Sequence, residues 1–205
     1  LASFVAIAID NALIVGRVQL LNRLLHREND ELQDAYEELS YLANHDALTG
    51  VANRRHLEET LQVEIQRAAG TDRKVGVLFF DLDQFKPIND RYGHDAGDQV
   101  LCLIAGRIRE TLRSDDTVAR IGGDEFVGVV SHITSRQHAH YIAHKVKDSV
   151  ESPIPIGDGA PRDAVRVTVS VGLALYPDDA QTPDELIQSA DSSMYRAKGT
   201  RATSK

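Results

Sequence analysis

The stretch TVARIGGDEFVGVV, residues 117–130, decides how this chain is read. TVARI (117–121) and FVGVV (126–130) are rich in β-branched and aromatic residues, and the Gly-Gly-Asp-Glu between them is a hairpin signal. Working outward, VGVLFF at 75–80 reads as a buried strand ending in Asp81. Ala96–Leu112 carries Val100, Leu101, Ile104, Ile108 and Leu112 on one face and reads as a helix. A further helix is expected over about 136–151, and VRVTVSVGLALY at 165–176 is expected to be the longest strand. Pro183–Ala197 reads as a closing helix with proline in its first turn, and Asn53–Ala69, closed by Gly70, as an amphipathic entry helix. After that entry helix the order is β-α-β-β-α-β, a ferredoxin-like core of the α/β (α+β) class.

This topology places chemistry before any family is named. A β-α-β crossover leaves its two strands parallel, and the hairpin's second strand lies antiparallel between them. The end of the first strand, with Asp81 and Asp83, therefore shares an edge with the turn that carries Asp124 and Glu125. Four carboxylates on one edge repel one another unless a cation neutralises them, and hard oxygen donors select Mg²⁺, Mn²⁺ or Ca²⁺. Solvated acids at strand ends are the bland alternative. Gly122-Gly123 favours a site, because paired glycines allow positive φ and close approach of a ligand to the backbone.

The N-terminal region follows a different rule. Phe4, Ile7, Asn11, Ile14, Val18, Leu21, Leu25, Glu28, Leu32, Ala35, Leu39 and Leu42 alternate spacings of three and four, and ten of these twelve are apolar. That is a coiled-coil heptad with Asn11 at an a position, where a buried amide sets register. The helix would run about 57 Å at ~1.5 Å per residue, far more than a small domain can cover, so a parallel dimer is expected. Residues 1–44 are read as this signalling helix and 45–205 as a globular domain.

Composition narrows the rest. The chain has 205 residues and a formal net charge of -8, which argues against broad binding to nucleic acid or to an anionic membrane. The greasy N-terminus is broken by Asp10, Arg17 and Arg23, so no membrane span is expected. Because the chain begins at Leu1 rather than Met, it is expected to be a piece of something longer. A single cysteine, Cys102, excludes an internal disulfide and fits a reducing, cytoplasmic setting. His138, His140 and His144 are read as solvated helix residues rather than a metal site.

The chain resembles the GGDEF family through five blocks in order: HDALTGVANR (45–54), DLDQFKPINDRYGHDAGDQVL (81–101), TVARIGGDEF (117–126), VTVSVGLALYP (167–177) and ADSSMYRAK (190–198). The resemblance implies a fold like that of nucleotide cyclases and synthesis of cyclic di-GMP from two GTP, with release of two pyrophosphates. It also implies roles for matching residues. Asp81, the Leu82 carbonyl, Asp124 and Glu125 would hold Mg²⁺ or Mn²⁺, and Asp124 would help deprotonate the attacking 3'-hydroxyl. Asn89 and Asp98 would read guanine, which an amide and a carboxylate can do along its O6, N1-H and N2-H edge. Lys86 and Lys198 would clamp phosphate. Gly122, Gly123 and His94 belong to the same substrate-binding blocks. Arg201 would assist, although it follows Lys198 one residue sooner than the family pattern has it.

Arg113 and Asp116 match the family's RxxD product-binding motif, which implies feedback inhibition by cyclic di-GMP. Joining two GTP needs two domains face to face, so a homodimer through the N-terminal helix is implied. ASFVAIAIDNALIV resembles the closing helix of a GAF-type sensor, which implies an upstream sensory domain. The rival expectation is a catalytically silent GGDEF module that binds GTP or cyclic di-GMP as a sensor or scaffold. Cyclisation of a single nucleotide fits the fold but not the guanine-reading residues paired with RxxD.

Overall fold

The computed structural model describes the backbone of residues 2–155 and 164–202; within that range, the side chains of 2–15, 18 and 200–202 are not described. The chain forms two units, residues 1–43 and 44–205. The first is helix α1, Ala2–Asn44. Its heptad positions Leu21, Leu25, Leu32, Leu39 and Leu42 are all more than half exposed. The upper heptads, Phe4 to Val18 with Asn11 among them, lie outside the described side chains.

In the second unit, α2 (Arg54–Ala68) starts where the Asn53 side chain accepts a hydrogen bond from the His56 amide at 3.0 Å, a cap that ends the preceding turn. Strand β1 (Lys74–Asp83) leads through α3 (Phe85–Tyr92) and α4 (His94–Thr111) to the hairpin β2 (Thr117–Gly122) and β3 (Glu125–Ile133). Helix α5 (Arg136–Val150) and a small ribbon, β4 (Ile154–Pro155) with β5 (Ala164–Val165), precede β6 (Thr168–Tyr176) and α6 (Pro183–Ala202). The main sheet has the order β2-β3-β1-β6, with β3 antiparallel between β2 and β1. This is the ferredoxin-like arrangement expected from the sequence.

Strand alternation divides the core in two. Leu78, Phe80 and Leu82 of β1 pack with Val100, Ile104 and Ile108 of α4 and Val146 of α5. Val75, Val77 and Phe79 face the other way, onto Leu57 and Leu61 of α2 and Leu186, Ala190 and Met194 of α6. Asp81 and Asp83 continue the second series, so the pleat aims them at the α2/α6 side.

One expectation needs correction, and one element had not been foreseen. Residues 165–176 are not one strand: the chain breaks at Arg166-Val167 between β5 and β6, and β1, with 10 residues, is the longest. Asp81 and Asp83 lie at the C-terminal end of β1, as expected, with the strand running on through Asp83. Helix α3 had no sequence expectation, because its eight residues, FKPINDRY, are too few for a helical period to show.

Candidate active site

The hairpin turn is tighter than the sequence suggests. Gly122 and Glu125 are paired strand residues, so only Gly123 and Asp124 form the turn. Gly123 has φ +45, and a positive φ at the first central residue alone is the type II′ pattern, matched to strand twist. Asp124 is thereby held at the tip, and its carbonyl accepts from the Leu82 amide at 3.3 Å, tying the turn to β1.

Glu125 sits directly across from Asp81 in the β1–β3 register. Like charges in facing positions are unfavourable. Accordingly, burial pushes the Glu125 carboxyl above its ordinary value, and the charges of Asp81, Asp124 and Asp191 push it further against the pull of Arg54. The relief comes from α6, where the Lys198 ammonium donates to Asp81 Oδ1 at 2.6 Å. That hydrogen bond, with the charges of Asp81, Asp83 and Asp124, raises the Lys198 value despite the opposing cost of burial. Asp83 is turned toward β6 and accepts from Thr168 Oγ1 at 2.9 Å and Ser170 Oγ at 2.8 Å.

The structure thus brings Asp81, Leu82, Asp124, Glu125 and Lys198 together. Among the described residues, however, no three acidic, histidine or cysteine side chains close around a common point as a complete metal cage would. Mg²⁺ does not need one: it keeps several waters and takes one or two carboxylates plus substrate phosphates. The oxygen donors at this edge and their mutual repulsion fit such an ion.

An open cavity of about 860 Å³ adjoins Lys198 and Asp83 and is bordered by Arg91 and Arg166, room enough for a nucleotide. Lys86 is exposed on α3, and His94 is the exposed first residue of α4, after Gly93 with φ +85. Asp98 is exposed on α4. Asn89 is half-buried on α3, and its Oδ1 is, among the described residues, the one buried side-chain oxygen or nitrogen without a hydrogen-bond partner. The Arg201 side chain lies outside the described residues.

Sequence reasoning missed a clamp behind the turn. Arg120 donates from Nε and Nη2 to the Gly123 carbonyl at 2.9 and 2.8 Å, and from Nη1 to both Asp46 oxygens at 3.1 and 3.3 Å. Asp46 also accepts from the amide and hydroxyl of Thr49 at 2.9 and 2.6 Å. Burial is the largest influence on the Asp46 carboxyl and acts upward, but the Thr49 bonds and Arg120 together hold it below its ordinary value. Both partners stood in quoted blocks, yet nothing local links positions 74 residues apart.

At the far end of β2 the second motif is built differently. Arg113 is exposed, while both Asp116 oxygens accept backbone amides, Oδ2 from Arg113 at 3.0 Å and Oδ1 from Ser131 at 3.1 Å. Burial raises the Asp116 carboxyl in spite of these bonds. A surface cavity of about 180 Å³ lies here, and α5 adds His138, Tyr141 and Lys145 to its wall. Of the three histidines, His140 and His144 are exposed as expected, whereas His138 is half-buried with its ring nitrogen 3.3 Å from Thr134 Oγ1.

Comparison with known proteins matches residues 43–204 to the family described as diguanylate cyclase, GGDEF domain. The chain belongs to the GGDEF family. It is 44% identical over 167 residues to the diguanylate cyclase TpbB of Pseudomonas aeruginosa, spanning 82% of this chain and 38% of that protein. It is 41% identical over 194 residues to the bifunctional diguanylate cyclase/cyclic di-GMP phosphodiesterase MucR of the same species, spanning 95% of this chain and 27% of that protein. The chain therefore covers about a quarter to two-fifths of these relatives' lengths. The solved structure of an N-terminally truncated TpbB comprising only the GGDEF domain, from Pseudomonas aeruginosa, superposes with a TM-score of 0.72 at 44% identity, covering 76% of this chain and 89% of that one. The coiled coil and GGDEF domain of DgcB from Caulobacter crescentus, solved with c-di-GMP, gives 0.79 at 25% identity, covering 88% and 95%. No helix among the described residues of this GGDEF protein is long and apolar enough to cross a membrane.

Proposed function

We propose that this GGDEF domain is a diguanylate cyclase that condenses two GTP into cyclic di-GMP. The observation that carries the reading is the pairing of Asp81 with Glu125 across β1 and β3, beside the Gly123-Asp124 turn and under the Lys198 ammonium. Asn89 and Asp98 read the guanine, and Lys86, Lys198 and Arg201 hold the phosphates. In each half-reaction the 3'-oxygen of one GTP bonds to the α-phosphorus of the other, and the bond to pyrophosphate breaks. The hydroxyl proton passes to the acidic turn, where Asp124 helps to accept it and Glu125 completes the ring of carboxylates. Asp81, the Leu82 carbonyl, Asp124 and Glu125 would hold Mg²⁺ or Mn²⁺, which supplies positive charge that acidifies the attacking hydroxyl.

One domain supplies one half-site, so two copies must face each other. The exposed leucine row of α1 suits a parallel dimer that raises the effective concentration of the domains. Cyclic di-GMP bound at Arg113 and Asp116 would cross-link domains out of register and act as a feedback inhibitor. An upstream sensory domain would set the pitch of α1, and a cytoplasmic setting supplies GTP.

A second reading, a silent GGDEF module that binds GTP or cyclic di-GMP without turnover, has one observation on its side: Lys198 already neutralises Asp81. Incubation with GTP and Mg²⁺ followed by mass analysis of the nucleotides separates the two. Cyclic di-GMP with pyrophosphate supports the enzyme; bound but unchanged GTP supports the silent module. Removing residues 1–42 is expected to lower specific activity at low protein concentration, with recovery as concentration rises; equal activity at all concentrations would sink the dimer role of α1.

A further inference from the structure

We propose that Gly97 is the residue that positions the guanine-reading amide: the missing side chain at this point of α4 is what seats the Asn89 carboxamide. The inference rests on the assignment of Asn89 to guanine made above. Gly97 is buried at the end of the first turn of the 18-residue helix α4. Glycine is a poorer helix former than alanine, by up to about 1 kcal/mol, so its presence at a buried helical position calls for a reason. Its φ lies outside the positive range, so the backbone itself does not demand glycine.

The reason is steric. A Cβ on Gly97 would overlap Asn89 Oδ1 and would stand 2.9 Å from Asn89 Cγ and 3.2 Å from Phe85 Cζ. The carboxamide of α3 thus points its oxygen at the bare α-carbon of α4, one residue before Asp98. Gly106, in the same helix, has no atom within 4 Å of the equivalent position and serves as the internal control.

The same contact leaves Asn89 Oδ1 buried and unpartnered. A buried carbonyl without a donor is unfavourable, so this rotamer persists only because the surrounding structure holds it. The Gly93 amide bonds the Asn89 carbonyl at 2.9 Å, and the Gly97 amide bonds the Gly93 carbonyl at 3.2 Å, which locks the end of α3 and the start of α4 in register. Phe85, buried on the same face of α3, closes the remaining side. With a methyl at position 97 the carboxamide must swing out, and the amide and Asp98 no longer present one guanine-shaped edge.

The test compares wild type with Gly97→Ala, Gly106→Ala, Asn89→Ala and the Asn89→Ala/Gly97→Ala double variant. Affinity for a non-hydrolysable GTP analogue, KM and kcat for GTP, and thermal midpoint are measured on the full chain with Mg²⁺. Gly97→Ala is expected to weaken analogue binding and raise KM about tenfold, the loss of one hydrogen bond, with kcat changing less. Its thermal midpoint is expected to equal or exceed that of wild type, since alanine favours the helix. Gly106→Ala should leave affinity at the wild-type level, and the double variant should bind no worse than Asn89→Ala. If Gly97→Ala itself lowers the midpoint, removing the Asn89 amide in the double variant should restore it.

Wild-type affinity in Gly97→Ala, additive losses in the double variant, or no restoration of a lowered midpoint would each overturn the role of Gly97 alone. Analogue binding by wild type without turnover would instead overturn the cyclase reading, while the affinity series still decides the role of Gly97. A wild type that binds no guanine nucleotide overturns both.

Discussion

The two ends of strand β2 present the same kind of group, an acidic side chain raised by burial, and put it to opposite use. At the start of the strand, Asp116 spends both oxygens on backbone amides of Arg113 and Ser131. At its end, across the turn, Glu125 faces Asp81 in register and feels Asp124 and Asp191, offset by the charge of Arg54 and by the Lys198 ammonium on Asp81. The first arrangement is satisfied by the protein itself. The second leaves net negative charge for an external cation to neutralise. A carboxylate satisfied by backbone shapes a loop, whereas a carboxylate opposed by its own kind is a candidate functional group.

The contrast can be broken at four points. The largest effect belongs to Asp124→Ala, which removes the tip of the acidic turn without touching the core; product formation is expected to fall at least 10²–10³-fold while the melting curve stays put. Turnover within tenfold of wild type would show that the turn is not the reacting end. Next comes Arg120→Ala, which cuts the Gly123 carbonyl loose from Asp46. A turn displaced by even about 1 Å can cost ~10²-fold, so a loss of 10–100-fold in kcat is expected, with GTP affinity largely retained. Loss of affinity with kcat intact would assign Arg120 to substrate binding instead.

At the other end, Arg113→Ala should raise the concentration of cyclic di-GMP needed for half-inhibition about tenfold, the scale of one charged contact. Asp116→Ala should in addition cost about 1–3 kcal/mol of stability, because it orphans the amide of buried Ser131 and frees that of Arg113. Chemical denaturation of the two variants side by side separates these roles, and identical stabilities would refute the structural half of the comparison.

The smallest effect is a pH dependence. The folded-state pKa of Glu125 is raised above its ordinary 4.5. Between 4.5 and that raised value the folded state binds more protons than the unfolded state, so stability declines as pH rises through the window. Glu125→Gln should therefore melt higher than wild type at neutral pH without added metal, and the gap should close below pH 4.5. A gap that is constant with pH would mean that the repulsion at the turn is not felt in folding.

How much of this was legible beforehand varies by residue. Asp81, Asp124 and Glu125 were placed on one edge because strand order and hairpin chemistry are local signals, and local signals add up to a topology; Lys198 entered only through the family resemblance, since nothing in the order of strands brings the closing helix to that edge. The clamp of Arg120 on Asp46 was not, since no pattern ties two residues 74 positions apart until the sheet is built. Helix α3 escaped for want of length, and the β5–β6 break because Arg166-Val167 continues the apolar alternation without a turn residue. Leu21 and Leu57 show the same helical periodicity, yet one is 59% exposed and the other fully buried. Periodicity states which face is apolar and says nothing about what covers it.

The amino-acid order on its own determined the β-α-β-β-α-β succession, the heptads of α1 and the gathering of acidic residues at one sheet edge, because those follow from local patterns and the topology they add up to. Only the folded chain decided which carboxylates oppose and which are quenched, that a bare α-carbon at Gly97 seats the Asn89 amide, and that Arg120 braces the turn. Those are matters of a few tenths of an ångström between atoms far apart in the chain, and close packing alone sets them.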